Sequence, residues 1–261
     1  MTEPVLHLYD LGPGVTAFSS TRHGGEGKGN YASFNINYYC GDRKEDIMAN
    51  RKALCQLLGI DASCLVYPHQ THGDAVAVID RQWMEKLSPE VGPKGCLEGI
   101  DAVMTDLKGV CIGVSTADCI PILLYDGTHH ACCAVHAGWR GTVKRIVQKA
   151  VEALASTYGT SPQQLKAVIG PGISLKSFEV GDEVYEQFAQ AGFDMARIAC
   201  KYEKWHIDLW ECNKRQLMEV GVPETDIHVA GICTYIHHDD FFSARRLGIN
   251  SGRIFSGIML R

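Results

Sequence analysis

Runs rich in β-branched and apolar residues recur along the chain, and clusters of Gly, Pro, Asn and Asp separate them. Strands are predicted over residues 5–9, 15–21, 64–70, 75–79, 102–105, 110–115, 120–125, 131–137, 167–169, 227–235 and 253–260. Helical periodicity is rarer. Its clearest instance runs from Thr142 to Tyr158, where Val143, Ile146, Val147, Ala150, Val151, Leu154 and Tyr158 recur every three or four residues before Gly159 supplies a stop. Further helices are predicted over Glu45–Leu58, ended by Gly59, over Asp182–Ala191, ended by Gly192, and over Leu209–Val220, ended by Gly221. Asp208 and Glu211 stand in capping-box spacing at the start of the last one.

Many strands and few helices predict an α+β protein whose mixed sheets are covered by helices, an arrangement that leaves no long edge exposed. No solenoid repeat, low-complexity tract or linker interrupts the chain, so residues 1–261 are read as one domain. The stretch from Asp80 to Gly99, broken by Pro89, Gly92, Pro93 and Gly95, is predicted to be a surface excursion.

A net charge of −5 gives no basic field for a polyanion, which disfavours nucleic acid and anionic membrane and leaves small molecules as the expected partners. The opening MTEPVLHLYD lacks the features of a secretory signal. The longest apolar stretch, Val110 to Tyr125, is interrupted by Asp118 and Pro121 and falls short of the roughly 20 residues that span a bilayer. A cytoplasmic protein is expected. Its 11 cysteines are odd in number, scattered and without a CxxC pair, so they are read as reduced, mostly buried thiols.

Three short segments carry candidate chemistry. In AVHAGWRGT a strand runs through His136 into a Gly-rich turn and the predicted helix, whose first turn, with Arg140, offers donors to an anion. Equally, Gly138 and Gly141 can simply shape that turn while Trp139 enters the core. In VSTADCIP, Asp118 and Cys119 interrupt an apolar run before Pro121; the pair is either a bend fixed by the carboxylate or the seat of a reactive thiol. In HQTHGD, His69 and His72 lie three apart in what reads as extended chain, where only one of them should point inward. Two polar stretches accompany these. Residues 20–37 are Gly-rich without a P-loop ending, and residues 234–246 set Phe241 and Phe242 beside Arg245 and Arg246, either a ligand-stacking surface or a solvated face.

Taken together, QTHGD, DAVMTD, STADCIPILLYD, AVHAGWRGTV, IGPGI with FEVGDEV, and FFSARR with GRIFSGIML resemble the YfiH-type family, also called laccase-domain or multicopper polyphenol oxidase-like proteins. The N-terminal FSSTRHGG, the NYASFNIN segment that contains Asn35, and Asn50-Arg51 fit the same family in order, so the resemblance spans nearly the whole chain. It implies an α/β/β/α layered fold and a zinc site made by His72, Cys119 and His136. Asp118 is a candidate to orient a ligand or move a proton. Substrate contacts are expected from Asn35, Arg51, Arg140, Phe242, Arg245 and Arg246.

The implied activity is phosphorolysis of adenosine, inosine and methylthioadenosine, with deamination of adenosine. Some bacterial members are credited instead with amidase editing of a peptidoglycan precursor. Two imidazoles and a thiolate leave a fourth position open, as catalytic zinc sites do. A cysteine hydrolase with Cys119 as nucleophile and His136 as base would use the same residues. Copper and a polyphenol oxidase activity, which the family name suggests, fit less well, because the 11 histidines include no HxH pair.

Overall fold

Side-chain parity along the central strands assigns each residue to one of the layers. The computed structural model describes residues 3–86 and 97–261. Its strands are β1 (Leu6–Tyr9), β2 (Val15–Ser20), β3 (Leu65–Val66), β4 (Val76–Val78), β5 (Ala102–Thr105), β6 (Cys111–Thr116) and β7 (Ile120–Asp126), followed by β8 (Ala131–Ala137), β9 (Leu165–Ile169), β10 (Glu179–Val180), β11 (Ala199–Lys201), β12 (Trp205–Ile207), β13 (Ile227–Val229) and β14 (Ile254–Leu260). Five form one mixed sheet in the order β1-β2-β14-β6-β3, and six form another in the order β13-β9-β7-β8-β5-β4. A small antiparallel sheet, β10-β12-β11, stands apart.

On β7 and β8 the alternation is plain. Ile122, Leu124, Cys133 and Val135 join Ile146, Val147, Ala150, Val151 and Leu154 of the helix Ile146–Tyr158, together with Leu209, Cys212 and Leu217 of the helix Leu209–Glu219. Leu123, Tyr125, Cys132 and Ala134 point the other way and meet Ile112 and Val114 of β6 and Ile258 and Leu260 of β14 between the two sheets. On the outer face of the five-stranded sheet, Phe18, Cys111, Phe255 and Met259 pack on Leu54, Cys55 and Leu58 of the helix Lys44–Leu58. The α/β/β/α layering is therefore present, with three apolar layers each closed by side chains of alternating parity.

Several expectations need correction. The helix predicted over Thr142–Tyr158 is two helices, Trp139–Val143 and Ile146–Tyr158, separated where Arg145 adopts a left-handed conformation (φ 64°). Buried partners remote in sequence hold the break: Asn213 donates to the Thr142 hydroxyl at 3.1 Å and Gln216 to the Thr142 carbonyl at 2.8 Å. The strand predicted over 227–235 ends at Val229, because the chain turns at Gly231 (φ 66°). The one over 64–70 shrinks to Leu65–Val66. Asp80–Gly99 is not simply an excursion. It opens with the helix Arg81–Lys86, whose Trp83 and Met84 pack between the sheets, and ends with Glu98 bridged to His69, while residues 87–96 lie outside the described residues. Asp208 does cap its helix, accepting from the backbone N–H of Glu211 at 3.0 Å, whereas the Glu211 carboxylate turns to Arg215.

Candidate metal centre

The turn into β7 and the end of β8 bring two of the expected ligands together. Antiparallel pairing sets Ile120 opposite Ala137 and Pro121 opposite His136, so Cys119, one residue before β7, lies at the same sheet end as His136. His72 arrives from the segment after β3 in a left-handed conformation (φ 62°). The potential ligand atoms of His72, Cys119 and His136 all lie within 4.8 Å of one another, and the two imidazoles meet edge to face at 5.0 Å. Two imidazole nitrogens and one thiolate sulfur at this spacing could hold a metal ion, and the donor set is one that a borderline-soft cation takes.

One carboxylate organises two of these side chains. Asp101, fully buried at the start of β5, places Oδ1 2.7 Å from Nδ1 of His136 and also accepts the backbone N–H groups of Thr71 (3.2 Å), His72 (3.0 Å) and Gly73 (2.7 Å). Fixing Nδ1 leaves Nε2 of His136 to face a metal, the usual arrangement of a ligating histidine backed by a carboxylate. Gln70 ties the same segment to β6 by exchanging two 2.8 Å hydrogen bonds with the backbone of Ser115. Because the N–H groups converge on Asp101, this segment is turned and not extended. Both His69 and His72 therefore line the cavity, against the expectation that only one would.

Two of the candidate ligands, Cys119 and His136, sit where charge is costly yet favoured. Burial opposes ionisation of Cys119, but His136, with His72, outweighs it and brings the thiol below its ordinary range. Burial likewise opposes charging of His136, while Cys119 and Asp101 outweigh it and hold the imidazole above its usual range. Asp101 is itself disfavoured as an anion by burial, a cost that His136 and the N–H groups of Gly73 and Thr71 more than offset, lowering its pKa. Gly138 gives the centre room. A Cβ there would lie 3.0 Å from both Sγ of Cys119 and Cδ2 of His72.

The three residues open into a cavity of about 420 Å³ also lined by Asn37, Tyr39, Gln70, Ser115, Ile249 and Arg253. Among the expected contacts, Arg245 lines a neighbouring cavity of about 360 Å³, with Asp118 and Phe178, that shares Ala244 and Ile249 with the first. Asp118 touches neither imidazole in any hydrogen bond found among the described residues. It accepts from the Thr234 hydroxyl (2.7 Å) and the Arg245 N–H (2.8 Å), holding a strained bend at φ 129°. That is the bend-fixing alternative.

The remaining contacts are displaced from the lining. Phe242 is fully buried with Phe241 and Ile254, and Arg22 covers its ring at 4.8 Å, so it has no face for a ligand. Arg51 is buried between the rings of Tyr38 and Tyr67, and Arg246 lies over Tyr235. Asn35 shapes the cavity from behind, donating to Asp42 and accepting from the N–H of Arg253. Arg140 is exposed and stacked on Trp139 at 4.3 Å. The five-residue helix in which it lies is too short for the dipole expected of a long helix beginning at Thr142. The cation that does line the cavity is Arg253. Carbonyls of Ile249, Ser251 and Gly252 hold its guanidinium, and it pairs with no carboxylate among the described residues. Neither Asp101 nor Arg253 stands out in the sequence except as part of DAVMTD and GRIFSGIML, since an Asp before a strand and an Arg after a Gly are commonplace.

Known proteins match this chain along almost its whole length. A protein of Bacteroides thetaiotaomicron named purine nucleoside phosphorylase is 48% identical over 249 residues, which cover 94% of this chain and 92% of that protein. A protein of an unknown prokaryotic organism, named adenosine deaminase RL5, is 43% identical and covers 94% of both chains. The crystal structure of YlmD from Geobacillus stearothermophilus superimposes with a TM-score of 0.89 at 28% identity, over 97% of this chain and 94% of that one. Since the family model described as multi-copper polyphenol oxidoreductase laccase matches residues 16–261, the chain belongs to that family, the one of the YfiH and YlmD proteins.

Proposed function

We propose that this chain is a zinc-dependent purine nucleoside phosphorylase acting on adenosine, inosine and methylthioadenosine, and that it also deaminates adenosine. The observation that carries the proposal is the cluster of His72, Cys119 and His136, braced by Asp101 and open to a cavity of nucleoside size. The names of the relatives supply the substrate class. Zinc, when held by these three side chains, would supply Lewis acidity to a polar group of the substrate. A multicopper cluster takes many imidazoles, and among the described residues only this group of three could hold an ion, so zinc is the better fit than copper.

The chain's own groups divide the remaining work. Arg253, free of any carboxylate partner among the described residues, faces the cavity as the countercharge for phosphate. Ile249 offers an apolar surface to the purine at the mouth. Asp101 keeps His136 in the tautomer that ligates.

Metal analysis combined with product detection tests this reading. The protein should carry about one zinc per chain, lost on alanine substitution of His72, Cys119 or His136. It should convert adenosine to adenine and ribose 1-phosphate only with phosphate present, and release inosine and ammonia without it. Base release at equal rate without phosphate would make the enzyme a hydrolase.

A second reading draws on the Cys119–His136 pair. The direction of both shifts favours a thiolate beside an imidazolium, the state of a cysteine nucleophile. Full activity of the metal-stripped protein, together with amide cleavage of a muramyl-peptide precursor, would select that reading.

A further inference from the structure

A third histidine faces the cavity, and the candidate metal centre does not use it. His69 lines the same 420 Å³ space, with its ring stacked on Tyr39 at 3.9 Å and 15°. Its Nδ1 lies 2.7 Å from Oε2 of Glu98. The backbone builds this pair. His69 donates to the Leu97 carbonyl at 3.1 Å and Gly99 donates to the His69 carbonyl at 3.0 Å, a parallel bridge that sets Glu98 beside the ring.

A carboxylate on Nδ1 fixes the tautomer and leaves Nε2, which has no hydrogen-bond partner among the described residues, as the nitrogen available to a ligand. With 35% of the side chain exposed, the ring can exchange protons with solvent. An ion pair whose members are 35% and 60% exposed contributes little to stability, so stability alone does not account for the built geometry. Carboxylate, imidazole and substrate cavity in a row form the arrangement of an acid–base histidine.

We propose that His69 is the general acid of phosphorolysis and that Glu98 is its positioning residue. The inference rests on the phosphorylase reading above. A phosphate oxygen bonds to C1′ of the ribose as the C1′–N9 bond breaks and its electron pair stays on the purine. Charged His69 gives its Nε2 proton to N7 of the departing base. Hydrogen phosphate loses its proton as the ester forms, and that proton returns to His69 through solvent. The balance is nucleoside plus phosphate to ribose 1-phosphate plus purine.

The test compares two nucleosides on the zinc-loaded protein with inorganic phosphate. Inosine needs a proton on its leaving base, whereas 7-methylinosine already carries a positive charge there and leaves without one. His69→Asn should lower kcat for inosine by about 100-fold or more while changing 7-methylinosine by no more than about threefold. Zinc content and melting temperature should stay at wild-type values. Glu98→Gln should show a smaller loss, again on inosine only. Equal losses on both nucleosides, no loss on inosine, or loss of zinc from His69→Asn would each overturn the assignment. If the unsubstituted protein cleaves neither nucleoside, the phosphorylase reading itself fails, and the assignment falls with it.

Discussion

Asp101→Asn is the sharpest probe of the metal centre, because one carboxylate braces two ligand segments. Oδ1 serves Nδ1 of His136 and the N–H of His72, and Oδ2 serves the N–H groups of Thr71 and Gly73. Asparagine keeps the shape but has one acceptor. With its oxygen at the Oδ1 position, its NH₂ faces two N–H donors, and the reverse orientation abandons His136. Each charge-assisted hydrogen bond lost costs about 1.5–3 kcal/mol, so the apo protein should be destabilised by about 3 kcal/mol. Zinc affinity should fall about 10–100-fold, since either the ring of His136 loses its orienting acceptor or the segment that carries His72 loses its anchors at Thr71 and Gly73. Competition with a chromophoric chelator measures the second effect, and urea unfolding of the metal-free protein the first. Zinc binding within about twofold of wild type would refute the bracing role assigned to Asp101. Asp118→Asn is the control. Its carboxylate serves Thr234 and Arg245, so it should lose stability with little change in zinc affinity.

Gly138→Ala places a methyl group 3.0 Å from both Sγ of Cys119 and Cδ2 of His72, and should cut zinc affinity while the fold survives; unchanged affinity by chelator competition would show that the ligands move aside freely. Arg253→Met should raise the phosphate concentration for half-maximal phosphorolysis about 10–100-fold and leave phosphate-independent deamination nearly intact, as initial rates at varied phosphate will show. Asp126, buried at the turn between β7 and β8, is disfavoured as an anion by burial but held below the usual carboxylate range by the N–H groups of His129 and Thr128 and the His129 ring. Its folded pKa is depressed, so its stabilisation is present above the ordinary carboxylate pKa of about 4 and is lost as pH falls through the folded value. The urea-midpoint gap between wild type and Asp126→Asn should therefore be widest near neutrality and close below about pH 4.

The main elements were legible because burial follows period 2 in the strands and 3.6 in the helices, and both periods survive in the residues themselves, whereas the α/β/β/α layering came from the resemblance. Ile146, Val147, Ala150, Val151 and Leu154 form one apolar face in the sequence and one in the structure. Lost were the elements too short to show a period. Glu179–Val180, Ala199–Lys201 and Trp205–Ile207 hold two or three residues each, and pairing among themselves makes them strands. The break after Val143 is hidden for another reason. The apolar rhythm runs straight through it, and the side chains that hold it, Asn213 and Gln216, come from some seventy residues further on.

The site was legible to a different extent for each part. Its candidate ligands come from positions 72, 119 and 136, from three segments that only the pairing of β7 with β8 and the brace of Asp101 assemble, so no local spacing marks them. The resemblance proposes them, but does not point to Asp101, which braces two of them. The same break that escaped prediction helps to place them. Gly138 and the turn after His136 are followed at once by Thr142, whose hydroxyl and carbonyl are pinned to the helix Leu209–Glu219. The Thr142 carbonyl accepts the N–H of Arg145 at 3.1 Å as well as Gln216, so the same atom closes the short helix and anchors it. The turn that carries His136 is thus fixed on one side by β8 and on the other by buried polar contacts, which give a short Gly-rich segment the rigidity that the proposed metal centre needs.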